Sequence, residues 1–239
     1  MHPAAGHNAV IDRLTIISKT LNPASILMKA YLSEYIGTFF LVFCGTGAIV
    51  INEALPNSVG HIGIAITFGL IVMALIYSLG DVSGAHFNPA VSLAFAAAGL
   101  FSLKKVLPYW LAQVSGALSA SFLLRFLFPV STALGATTPA LGWKSSFILE
   151  TALSFLLMLV ILRVATGSRE KGLLAGVAIG GVILLEAMFA GPVCGASMNP
   201  ARSLAPAVIS GHTEYLWIYL TAPFAGMLFA LPFHSFFNR

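Results

Sequence analysis

The stretch Gly195–Ala205 reads GASMNPARSLA, and an earlier stretch, Gly84–Ala94, reads GAHFNPAVSLA. The two copies differ only at His86/Ser197, Phe87/Met198 and Val91/Arg202. Each holds an Asn-Pro-Ala triplet, Asn88-Pro89-Ala90 and Asn199-Pro200-Ala201. Proline is favoured in the first turn of a helix, where its missing N–H has no partner to lose. Asparagine directly before it is a good N-cap. Each triplet therefore predicts the start of a helix, over Asn88–Ala98 and Asn199–Ile209. At about 1.5 Å per residue, each helix reaches roughly halfway across a bilayer. Entering from opposite faces, the two meet at the midplane. Two positive dipole ends and two Asn side chains then lie together.

Composition sets the surroundings. The chain has 239 residues, 58% hydrophobic and only 8% charged, with mean hydropathy +0.93. Soluble domains carry about 25% charged residues. The class is a polytopic, all-α membrane protein. The net charge of +4 does not point to nucleic acid, because the positive residues sit between apolar spans and form no basic patch with interleaved aromatics. The two cysteines, Cys44 and Cys194, give neither a disulfide framework nor a metal-ligand spacing, so no metal and no cofactor are expected. The N-terminal region has no short apolar core followed by a small-residue cleavage site, so no cleaved leader is expected.

Six apolar spans are predicted at about Ala30–Ile51, His61–Leu79, Val106–Phe128, Ser145–Val164, Gly172–Ala190 and Tyr215–Phe236, most near the ~20 residues needed to cross hydrocarbon. Residues 1–29 are expected to be a tail, in which Ile11, Leu14, Ile17 and Leu21 form one face of a short surface helix or stay disordered. Residues 237–239 end the chain. The spans fall into two halves, about 30–128 and 145–236, each of three spans with a short helix between its second and third. Glu34 in EYIGTFFL matches Glu150 in ETALSFLL, 54 and 49 positions before the respective Asn. Three is odd, so the halves insert with opposite topology. The result is one channel domain, 30–236, built as an inverted repeat.

Charge predicts orientation. With the N-terminus in the cytoplasm, Arg13, Lys19, Lys29, Lys104, Lys105, Arg163, Arg169, Lys171 and Arg239 lie on the inner side, and Arg125 and Lys144 on the outer. That asymmetry follows the positive-inside rule. Gly172, Gly176 and Gly180 form a GxxxGxxxG row suited to close helix packing. Tyr77, Trp110, Trp143 and Trp217 read as packing or interfacial residues.

Several side chains carry candidate chemistry. Asn88 and Asn199 can each cap a helix while an amide N–H₂ faces a passage. A passing water that accepts from both amides loses the continuous chain needed to relay protons, and the helix ends add a positive barrier. Arg202 places a charge inside the membrane, where it is a functional candidate by default. Its guanidinium donates to hydroxyls and repels cations, and loop carbonyls are its alternative partners. Glu34 and Glu150 are expected to accept N–H groups from the re-entrant loops, which lack helical partners. Glu186, inside the fifth span, either pairs with a neighbouring helix or loop or reaches the passage. His86 is either a loop anchor or a titrating gate. Cys194 is either buried and inert or open to mercurials.

The duplicated Asn-Pro-Ala in a six-span inverted repeat resembles the aquaporin (major intrinsic protein) family over roughly residues 30–236. Phe189–Ala207, FAGPVCGASMNPARSLAPA, is similar to the nodulin-26-like branch, whose relatives include bacterial channels for glycerol and uncharged metalloid acids. The resemblance implies a homotetramer with a pore through each subunit, constricted at the paired Asn residues and at an outer filter. The filter positions it implies are Phe68, Ala187, Ala196 and Arg202. Strict water channels of the family have His where Ala187 stands. Glycerol facilitators have Asp where Ser203 stands, and plant nodulin-26-like channels often have Trp where Phe68 stands. Two small side chains at the filter argue against transport of water alone.

The expected function is thus a passive channel for water, glycerol and neutral acids such as arsenous or boric acid, in a plasma membrane (the inner membrane if bacterial), with both termini cytoplasmic. A water-selective pore, an anion channel favoured by Arg202 and a coupled transporter are the alternatives. No nucleophile or metal cluster accompanies the glutamates, so no enzyme is expected.

Overall fold

The computed structural model describes residues 22–168 and 172–237. Among them run eight helices: α1 Pro23–Ala54, α2 Gly60–Ser83, α3 Pro89–Ala97, α4 Leu103–Leu127, α5 Trp143–Ala165, α6 Ala175–Cys194, α7 Pro200–Ser210 and α8 Leu216–Phe237. Six are long and apolar enough to cross a membrane. The other two, α3 and α7, have nine and eleven residues, which is about 13 and 16 Å of helix. Together they match the roughly 30 Å of hydrocarbon.

Two spans move furthest from their expected places. Helix α1 begins at Pro23, not Ala30, so residues 23–29 are helical. The reason is a third Asn-Pro-Ala: Asn22 caps α1, its side chain accepting from the N–H of Ala24 at 3.0 Å. Helix α6 begins at Ala175 and runs through Pro192 to Cys194, displacing the expected Gly172–Ala190. Proline removes only the bond to the carbonyl four residues back, and near the last turn the helix survives that loss. Gly172 therefore precedes α6, and a Cβ there would meet nothing within 4 Å. The surface-helix residues Ile11, Leu14, Ile17 and Leu21 lie outside the described residues.

The helices pack as two related triplets. Helix α1 packs on α4 and α2, and α5 packs on α8 and α6, while α2 crosses α6 between the halves. Glycines set the three closest approaches. A Cβ on Gly116 of α4 would overlap the Tyr35 carbonyl oxygen, and one on Gly226 of α8 would overlap that of Thr151. Tyr35 and Thr151 directly follow Glu34 and Glu150, so the same crossing recurs in both halves. At the α2–α6 crossing, a Cβ on Gly69 or on Gly180 would stand 2.6 Å from the other's carbonyl oxygen. With no net hydrophobic drive between helices in lipid, such backbone contact is a main source of association. Of the expected glycine row, Gly176 packs on the Tyr77 ring and Gly180 on Gly69 and Met73.

Gly180→Leu forces α2 and α6 apart. The expected result is loss of a monodisperse, thermally stable protein in detergent. Gly181→Ala, where a Cβ meets nothing within 4 Å, should keep the wild-type melting temperature by intrinsic tryptophan fluorescence.

Candidate functional site

The two short helices are approached by loops of matching conformation. Gly84, Ala85 and Phe87 have φ of 86°, 51° and 49°; Gly195, Ala196 and Met198 have 87°, 42° and 48°. Non-glycine residues reach this left-handed region only where the surroundings hold them. Here the hold is a buried carboxylate in each half. Glu34 accepts from the N–H groups of His86 at 2.9 Å and Phe87 at 2.7 Å. Glu150 accepts from those of Ser197 at 2.8 Å and Met198 at 2.9 Å. Without these bonds, four backbone donors would stay unmet where little water is available.

Further supports repeat. Tyr109 on α4 donates to the Ser83 carbonyl, and Tyr219 on α8 to that of Cys194, both at 2.8 Å. His86 Nδ1 lies 3.0 Å from Ser92 Oγ, and Ser197 Oγ lies 2.6 Å from Ser203 Oγ. One support is not repeated. Gln113 donates to both Glu34 and Ser92, at 2.8 and 2.9 Å. The place of Gln113 on α8, judged from the Gly116–Gly226 match, belongs to Pro223. The tyrosines and Gln113 escaped sequence reading, although Tyr109 and Tyr219 share almost the same offset as the two triplets.

At the centre, each Asn bridges the halves. Asn88 Oδ1 accepts from Ala90 N, and Asn199 Oδ1 accepts from Ala201 N and Arg202 N. The amide nitrogens cross over: Asn88 Nδ2 donates to the Met198 carbonyl at 2.8 Å, and Asn199 Nδ2 to that of Phe87 at 2.9 Å. One N–H of each amide is therefore engaged by the opposite loop, which leaves one, not two, for a passing molecule.

Two cavities enter this framework from opposite ends. The first is lined by His86, Phe95, Val164, Ala175, Asn88 and Asn199, among others. The second is lined by His61, Thr137, Thr138, Gly191 and Pro192, among others. The residues that line both are Phe68, Ala187, Ala196 and Arg202. The four positions come from α2, α6, the second loop and α7, and the structure brings them together where the cavities meet.

The family profile, Major intrinsic protein, matches residues 21–233. The chain belongs to the major intrinsic protein family. Aquaporin NIP1-4 of Oryza sativa subsp. japonica is 46% identical over 200 residues, covering 83% of this chain and 73% of that one. Nodulin-26 of Glycine max is 44% identical over 202 residues, covering 84% and 74%. Among solved structures, the aquaglyceroporin from Plasmodium falciparum aligns with a TM-score of 0.79 at 26% identity, over 87% of this chain and 96% of that one.

In this major intrinsic protein, Arg202 is buried and donates through Nη1 to the Gly135 carbonyl at 2.8 Å. Its Cζ stands 5.1 Å from the Phe68 ring centroid, within cation–π range. Gly135 takes φ of 70° and fits against Thr46, so the anchoring carbonyl depends on a glycine that sequence reading passed over. The Phe68 ring occupies a slot left open by Gly45, where a Cβ would overlap it. Gly45 thus helps fix where the ring stands.

The remaining candidates divide. His86 stacks on Phe95 at 4.9 Å, with Phe101 and Tyr109 beside it. That packing fits a loop anchor, although the residue also lines the first cavity. Glu186 stands apart from the other candidates. It lines neither cavity, and both of its carboxylate oxygens are buried without a hydrogen-bond partner. Its place on α6, with Val182 and Ala190 one turn to either side, faces the apolar cluster of Leu153 and Leu157. Cys194 is fully buried and lines neither cavity, which fits a packed thiol. Trp110 donates to the Pro89 carbonyl at 2.9 Å, a packing role. Trp143 and Trp217 stand 5.7 Å apart.

Glu150→Leu leaves the Ser197 and Met198 N–H groups without an acceptor. At about 1–3 kcal/mol for each unmet donor, the expected outcome is a clear fall in thermal midpoint in detergent. Glu150→Gln keeps one acceptor oxygen and should fall less.

Proposed function

We propose that this chain is a passive pore for small uncharged polar solutes, including water, glycerol and neutral metalloid acids such as arsenous and boric acid. The observation that carries the reading is the junction of two opposed cavities at Phe68, Ala187, Ala196 and Arg202. Two of these side chains are single methyl groups, which leaves room beyond a water-only neck. Phe68 supplies an apolar wall for a carbon backbone, and Arg202 supplies donors for hydroxyl oxygens. The relatives named aquaporins and the neighbour named an aquaglyceroporin support the water and glycerol part of that range.

Ions and protons are excluded at two levels. Arg202 repels cations at the neck. Beyond it, the N-terminal ends of α3 and α7 present positive potential. The free amide hydrogens of Asn88 and Asn199 there orient a passing water and interrupt proton relay. Flux follows the solute's own gradient. Lys and Arg placement supports cytoplasmic termini in the plasma membrane. The first cavity is then the inner mouth and the second the outer vestibule. The branch resemblance supports a homotetramer with one pore per subunit.

Stopped-flow light scattering on proteoliposomes tests the reading with water, glycerol and boric acid gradients. Flux of all three above protein-free vesicles is expected. Water flux alone would make the pore water-selective, conductance in voltage-clamped bilayers would make it an ion channel, and uphill accumulation under a proton gradient would make it a coupled transporter. Ala187→His should narrow the neck, lowering glycerol flux about tenfold, equivalent to about 1.4 kcal/mol, while water still passes.

A further inference from the structure

The second cavity holds a polar group that the transport reading does not use. His61 lies in the first turn of α2, seven residues and about two turns before Phe68. It is exposed and lines the cavity. Its Nε2 stands 2.6 Å from the Met188 carbonyl oxygen. That carbonyl is available for a local reason. Its helical partner would be the N–H of residue 192, and Pro192 has none. The imidazole fills the vacated place, and Gly191 makes room for it: a Cβ there would stand 3.2 Å from His61 Cε1.

The bond fixes the chemistry of the ring. A carbonyl only accepts, so Nε2 carries the hydrogen. In the neutral ring Nδ1 is then an acceptor, and the structure gives it no partner among the described residues. Hydrogen-bonding side chains elsewhere in this cavity are the hydroxyls of Thr137 and Thr138 and the guanidinium of Arg202. Thr137 is engaged, donating to Ser203. Arg202 can only donate. The cavity thus combines a side-chain acceptor that cannot donate with a donor that cannot accept. By the shift of 111 positions that takes Ser83 to Cys194, His61 corresponds to Gly172 and Pro192 to Asp81, which has an N–H, so the freed carbonyl and the imidazole are absent together from that part of the repeat.

Resting on the channel reading, we propose that His61 Nδ1 and Arg202 form a docking subsite in the outer vestibule for neutral solutes with two or more hydroxyl groups. One hydroxyl donates to His61 and another accepts from Arg202. Water engages one partner at a time. A polyol engages both and is held above the neck before it sheds its hydration.

The test is isotopic water exchange in proteoliposomes of the full chain, with equal glycerol on both sides so that no osmotic gradient exists. Each protein is normalised to its own glycerol-free rate. In the wild type, glycerol should slow exchange saturably. His61→Phe should raise the half-saturating concentration about three- to tenfold, as expected for one lost hydrogen bond. Because that variant also strips Met188 of its donor, the His61→Phe/Pro192→Ala pair is measured beside it. There the residue 192 N–H supplies the carbonyl, and only the vestibule acceptor is missing. The same rise in the pair supports the subsite. An unchanged half-saturation in the pair, or wild-type exchange that glycerol never saturates, overturns it. Wild-type exchange no faster than that of protein-free vesicles overturns the channel reading itself, a result distinct from either.

Discussion

Irregular backbone inside a membrane must find its hydrogen bonds within the protein, and the architecture of this chain follows from that constraint. The loops before α3 and α7 are irregular, left-handed at several non-glycine residues, and placed at membrane depth. One carboxylate in each half, Glu34 and Glu150, collects two N–H groups apiece from them. Each carboxylate is carried by a helix that a glycine of its partner helix approaches to backbone contact. Gly116 meets α1 at Tyr35, and Gly226 meets α5 at Thr151. Loop conformation and helix crossing are therefore one device: without the glycine the carboxylate moves, and without the carboxylate the loop loses its shape.

The loops then stabilise one another across the repeat. The amides of Asn88 and Asn199 exchange hydrogen bonds with carbonyls of the opposite loop. The two half-length helices behave as one interrupted span whose break sits at the midplane. A helix start normally leaves several backbone donors unmet. Here the Asn side chains cap the starts from within, and one amide hydrogen of each is left over. That unsatisfied polarity, at the midplane of the passage, is what a permeating molecule finds.

Function concentrates where the two halves differ. Arg202 stands where its copy is Val91, and its charge is tied to Gly135 and to the Phe68 face. His61 stands where the second half has Gly172. Glu186 stands where the same offset gives Leu75, yet it is buried away from both cavities. Departure from symmetry marks a residue for attention, and geometry decides whether it meets the passage.

The residues alone determined the number of spans, the two short helices, the pairing of Glu34 with Glu150 and the family resemblance, because each rests on composition or on neighbours a few positions apart. A cap needs only Asn, Pro and the N–H groups just beyond. For that reason the same triplet also begins α1 at Asn22, where it makes no passage. The tertiary structure alone decided which caps face each other, that each central amide keeps one hydrogen free, and that Gly45 and Gly135 set the places of Phe68 and Arg202. It also decided that Glu186 lines neither cavity and that Pro192 frees a carbonyl for His61. These depend on atoms brought together from different elements of the chain, 67 residues apart for Gly135 and Arg202 and 127 for His61 and Met188, and no local periodicity encodes where such atoms meet.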